Sequence, residues 1–88
     1  MNIALDYDGT YTLDEPFWNE FVYRAIEDGH EVSMVTMRYN NEDERVEPPH
    51  DIQIIYTERK AKRQAMDRLG IKIDVWIDDR PEWIFTDG

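Results

Sequence analysis

The sequence predicts an α/β domain: a small Rossmann-like, three-layer fold with a mostly parallel sheet of about four strands. Three observations carry this. Short apolar runs of strand length alternate with two segments of helical periodicity. Gly29 and Gly70 follow those helical segments as stop signals. Helices between apolar strands imply right-handed crossovers, and so a parallel sheet with helices on its faces. At 88 residues the chain reads as a single domain, 1–88, with room for one modest core.

Each element has its own signal. Asn2 to Asp6 is a short buried strand, and Asp8-Gly9-Thr10 a turn. Asp14-Glu15-Pro16 marks a helix start, with an acidic cap and Pro in the first turn. Phe17, Phe21, Val22, Ala25 and Ile26 follow at helical spacing. Glu31 to Thr36 is the second strand. Asn40 to Asp51, with Pro48-Pro49, is a polar connection with room for one helical turn in Glu42 to Glu47. Ile52 to Tyr56 is the third strand. Thr57 is placed to cap a second helix running to Leu69, with Ala61, Ala65, Met66 and Leu69 on one face. Ile73 to Ile77 is the fourth strand, ending in Asp78-Asp79. Trp83, Ile84 and Phe85 are expected to fold back on the core.

Composition excludes several function classes. Ten Lys and Arg against twenty Asp and Glu give a net charge of −10, which repels phosphate backbones and anionic membranes. Tight non-specific nucleic-acid binding is therefore not expected, although the cluster from Arg59 to Arg63 is a local exception. The absence of Cys removes disulfides, thiolate metal sites and a Cys nucleophile. No apolar run reaches the roughly 18 residues of a membrane span, and the start at Met1 has no signal-peptide character. The expectation is a soluble, cytoplasmic protein. A core this thin would gain from self-association, so a homo-oligomer fits the sequence.

In a parallel sheet, ligands sit beyond the carboxyl ends of the strands, where the strand order reverses. Asp6 and Asp8 end the first strand, Thr36 the second, and Asp78 and Asp79 the fourth. If the first and last strands are neighbours, four carboxylates meet at one edge. Their repulsion calls for a cation, and Mg²⁺ suits carboxylates combined with a substrate phosphate. His30 and His50 lie near no ligand cluster and read as surface residues. Trp76 reads as core. Tyr7, Tyr11 and Trp83 flank the expected site, either as a substrate platform or as packing.

These residues resemble the haloacid dehalogenase superfamily. The resemblance rests on Asp6-Tyr7-Asp8-Gly9-Thr10, on a middle strand ending in Thr36, on a Lys in the later helix, and on a late strand ending in Asp78-Asp79. The motifs stand in the family's order and cover almost the whole chain. Trp76-Ile77-Asp78-Asp79-Arg80-Pro81-Glu82 also resembles the small capless members found in phages and bacteria. The resemblance implies an Mg²⁺-dependent phosphomonoester hydrolase acting through an aspartyl-phosphate. Asp6 would be the nucleophile and Asp8 the acid and then the base. The metal would be held by Asp6, by the Asp8 main chain, and by Asp78 with Asp79, Asp78 being the preferred inner ligand. Thr36 and a lysine would bind phosphate, with Lys62 ranked above Lys60. Arg38 stands where relatives often carry Arg.

The chain departs from the family in having about four strands instead of five or more, and no room for a cap domain. An open site suits a nucleotide, a polynucleotide end or a small phosphate ester. The competing class is a non-catalytic metal-binding or protein-interaction module that keeps this fold. A receiver domain is disfavoured because no acid ends the second or third strand. A nicotinamide-dinucleotide fold is excluded by the lack of Gly-x-Gly-x-x-Gly after the first strand.

Overall fold

A computed structural model describes residues 1–47 and 52–88. The strands are β1 (Asn2–Leu5), β2 (Glu31–Thr36), β3 (Gln53–Tyr56) and β4 (Val75–Ile77). The helices are α1 (Glu15–Glu27), α2 (Lys62–Arg68) and α3 (Glu82–Phe85), and a 3-10 turn covers Tyr11–Leu13. The four strands form one sheet in the order β3-β2-β1-β4, and every pairing is parallel. The expected α/β class and parallel sheet are therefore those of the protein. β1 lies at the centre, and the strand order reverses between β1 and β4. That gap is where such a sheet admits ligands.

The period-two alternation of the strands sorts the core into two faces. Ile3, Leu5, Val32 and Met34 point to one side and pack with Val22 and Ala25 of α1. Ala4, Val35 and Ile55 point to the other and pack with Met66 of α2, with Ile71, Ile73 and Trp76 at the margin. β1 is apolar on both faces because both are covered. Leu5 and Met34 are fully buried, so truncating either to Ala should cost about 2–5 kcal/mol.

α1 begins as its sequence signals require. The Asp14 side chain accepts from the Phe17 N–H, and Pro16 lies in the first turn. It ends at Glu27, and Gly29 follows in left-handed backbone, φ 87°, so that the His30 N–H bonds back to the Ala25 carbonyl.

α2 is shorter than its periodicity suggests. Thr57 does not cap it. Its hydroxyl donates to the Lys60 carbonyl at 2.8 Å, and the helix begins five residues later, at Lys62. Glu58 and Arg59 adopt left-handed backbone, φ 55° and 69°. Three cations among residues 59–62 would have faced the positive end of an earlier-starting helix, which disfavours that start.

Smaller differences follow from local hydrogen bonds. Asn41 Oδ1 accepts from the Asp43 and Glu44 amides, making a side-chain-closed turn where one helical turn was expected. The Asp74 carboxylate accepts from the Asn2 N–H, so β4 starts at Val75 and not at Ile73. β3 begins at Gln53, with Ile52 buried beside it. Ile84 folds onto the core, Trp83 is half-buried, and Phe85 is 58% exposed. His30 is half-buried and meets the Met1 amino group. His50 and Pro48-Pro49 lie outside the described residues. No described helix is long and apolar enough to cross a membrane.

Candidate active site

Leu5 pairs with Ile77, so the residues that follow them, Asp6 and Asp78, leave the sheet side by side. The Asp6 N–H extends the ladder to the Ile77 carbonyl at 2.9 Å. Asp6, Asp78 and Asp79 each offer a carboxylate oxygen within 4.8 Å of the others. Lys62, at the first position of α2, reaches across from the opposite layer. Its Nζ lies 2.7 Å from Asp6 Oδ1 and 2.5 Å from Asp78 Oδ2. Both partners of the first pair are enclosed: Lys62 is 2% exposed and Asp6 7%.

Thr10 closes the third side of Asp6. Its hydroxyl donates to Asp6 Oδ2 at 3.0 Å and accepts from the Asp79 N–H at 3.2 Å. Gly9 is required beside it. Its φ is +82°, and an added Cβ would press into the Asp79 carboxylate, 2.9 Å from Cγ. The loop after β1 is thus folded against the loop after β4.

The electrostatics follow from this packing. Burial pushes the Asp6 carboxyl up to about 7, against the pull of Lys62, and the neighbouring Asp79 and Asp78 add to the rise. Three carboxylates share one ammonium here, which leaves the cluster short of positive charge. A proton on Asp6 relieves that shortage. A divalent cation with oxygen ligands would relieve it too, and the three converging carboxylates fit such an ion.

Asp8 lies in a different setting. Arg38 grips it with two parallel hydrogen bonds of 2.8 Å, Nε to Oδ2 and a terminal NH₂ nitrogen to Oδ1. The Arg38 guanidinium holds the Asp8 carboxyl below the usual carboxylate range. The roles that the resemblance implies require Asp8 to hold a proton near neutrality while Asp6 stays ionised on the metal. Among the side chains themselves Asp6 carries the raised value, because it is buried while Asp8 is half exposed and paired.

The other expected residues occupy distinct positions. Thr36 ends β2 at the same sheet edge, 1% exposed, and its hydroxyl accepts from the Arg38 N–H at 3.3 Å. Lys60 is exposed and outside the cluster. Asp78 faces Lys62, whereas Asp79 faces Thr10. Tyr11 is buried and donates to Asn19, with Tyr7 stacked on it at 5.7 Å under Arg38. A cleft of about 460 Å³ opens beside Asp8, lined also by Met37, Arg38, Glu44, Arg59 and Trp83.

Three contributors were given no role in the site from sequence. Thr10 had a signal, its place four residues after Asp6. Glu44, which bonds Arg59 at 3.0 Å, had none. Neither did Asp87, whose carboxylate accepts from the Ala61 N–H at 2.7 Å and so caps α2 from 26 residues away. Comparison of the chain with protein-family models, with curated proteins and with solved structures finds no match.

Proposed function

We propose that the chain is an Mg²⁺-dependent phosphomonoesterase of the haloacid dehalogenase type, working through an aspartyl-phosphate on Asp6. The observation that carries this is the convergence of Asp6, Asp78, Asp79 and Lys62, from three separate segments, at the strand-order reversal of a parallel sheet. Asp6, Asp78, Asp79 and the Asp8 main chain would hold the ion. When bound, Mg²⁺ would lower the repulsion between the Asp6 carboxylate and the substrate phosphate.

The chain's own residues supply the steps. Asp6 attacks phosphorus, forming an acyl-phosphate bond as the ester P–O bond breaks. Asp8 gives its proton to the leaving oxygen, then takes one from the water that attacks the phosphorus. That second attack releases phosphate and restores the Asp6 carboxylate. Lys62 balances charge on the transferring group, and the Thr36 hydroxyl donates to a phosphate oxygen. Arg38 gives up Asp8 for the incoming phosphate, which removes the contact that lowers the Asp8 carboxyl. A soluble, cytoplasmic setting and self-association as a homo-oligomer belong to this proposal.

One observation favours a non-catalytic module instead. Lys62 already bridges two acids, as a purely structural buried ion-pair triad would. The deciding experiment is hydrolysis of 4-nitrophenyl phosphate with Mg²⁺ or with chelator, comparing wild type and Asp6→Asn. Mg²⁺-dependent turnover lost in Asp6→Asn supports the enzyme. A folded protein that binds Mg²⁺ but turns over neither this ester nor a panel of phosphate monoesters supports the module.

A further inference from the structure

The structure also bears on which esters such a site would take. We propose that the cleft beside Asp8 seats the leaving group, and that it selects an uncharged group carrying a flat aromatic ring, as in a nucleoside monophosphate. This rests on the phosphatase reading above. Asp8 belongs to both places: it is the carboxyl that would protonate the leaving oxygen, and it lines the cleft. Whatever is attached to that oxygen therefore enters this space.

The walls define its chemistry. Trp83 and Met37 are among the residues that line the cleft. Arg80 lies over the Trp83 ring at 4.4 Å, a cation–π contact on that ring. An aromatic ring in the ligand gains by stacking on such a surface whatever its hydrogen-bonding edge.

Charge then separates the candidates. The two guanidinium groups in the cleft are already matched: Arg38 with Asp8, and Arg59 with Glu44 at 3.0 Å. Arg59 is also tied to the Met37 carbonyl at 2.5 Å. Once Arg38 turns to the reacting phosphate, Arg59 remains with Glu44, and the described lining residues offer no further cation for a second phosphate. The chain's net charge of −10 acts in the same direction. A bisphosphate or a polynucleotide end gains nothing in this cleft that a nucleoside monophosphate lacks.

The test compares kcat/KM for release of the 5′-phosphate by the wild-type protein with Mg²⁺ from three compounds. They are ribose 5-phosphate, adenosine 5′-monophosphate and adenosine 3′,5′-bisphosphate. The monophosphate should exceed ribose 5-phosphate by about tenfold or more, the scale of one base–aromatic stack. The added 3′-phosphate should give no further gain. Trp83→Ala should bring the monophosphate-to-ribose-phosphate ratio close to one, and Trp83→Phe should keep most of it. Equal values for these two esters in the wild type, or a preference for the bisphosphate, overturn the cleft assignment and leave the phosphatase standing. No turnover of any of the three by a protein that hydrolyses 4-nitrophenyl phosphate with Mg²⁺ overturns the assignment alone; absence of that hydrolysis as well overturns the phosphatase reading and the assignment with it.

Discussion

Lys62 Nζ lies 2.7 Å from Asp6 Oδ1, and the two residues are 56 positions apart in the chain. One begins α2 and the other follows β1, so a single ion pair ties the helical layer to the centre of the sheet. Both groups are buried, and removing one partner of a buried pair is costly because the other charge is left uncompensated.

Replacing Lys62 by Met should therefore be severe. Asp6 and Asp78 would face each other with no cation between them. We expect a loss of about 3–5 kcal/mol in urea unfolding without metal. Added Mg²⁺ should recover part of that loss in the variant, because it restores positive charge at the same point. A variant as stable as wild type in chelator would mean that Lys62 and the acids are not coupled.

Stability of the metal-free protein should carry the signature of Asp6. Its carboxyl is raised from 3.8 to about 7 in the folded state. The native protein then holds a proton that the unfolded chain has released between these values. The stability tied to Asp6 is fully present below 3.8 and is lost as pH rises through about 7. The observable is the difference between wild type and Asp6→Asn in chelator, measured by urea unfolding from pH 4 to 8. Wild type should lose stability relative to the variant across that interval, and a difference that does not change with pH would refute the raised value.

Asp87 should act on Lys62 through the helix it caps. The Ala61 N–H bonds to the Asp87 carboxylate at 2.7 Å, and the Gly88 N–H bonds to the Arg59 carbonyl at 2.7 Å. Asp87→Ala should cost about 1 kcal/mol, as the loss of a helix cap does. It should also expose Lys62 to amine acylation, read by mass spectrometry against exposed Lys60 and Lys72. Asp87→Asn keeps an accepting oxygen and should restore protection. Unchanged protection of Lys62 in Asp87→Ala would count against the link.

Gly9→Ala should damage the site more than the fold. The backbone at φ +82° costs a side chain about 1–2 kcal/mol, and the methyl group would displace the Asp79 carboxylate. Mg²⁺ affinity measured by calorimetry should fall further than the unfolding midpoint does. Equal affinity in the variant would remove Asp79 from the proposed ligand set.

How much of this was legible beforehand depends on the range of the interaction. The parallel sheet was readable because strand burial and helix periodicity are local patterns of apolar residues. Asp6, Asp78 and Asp79 were readable as a cluster because each follows an apolar strand and the crossover rule brings strand ends to one edge. The choice between Lys60 and Lys62 was not settled by the sequence. Only the late start of α2 leaves Lys62 buried against the acids and Lys60 in solvent. The Thr57 cap misled because its hydroxyl had a nearer partner in the Lys60 carbonyl, while the cap came from Asp87 on a distant segment. The ionisation order of Asp6 and Asp8 also belonged to the tertiary structure. The sequence by itself determined the sheet, the helices between its strands and the acids at its edge, since these follow from residue type and spacing. Which acid is buried, which is gripped by Arg38, and which lysine meets them depended on desolvation and on contacts between segments far apart in the chain.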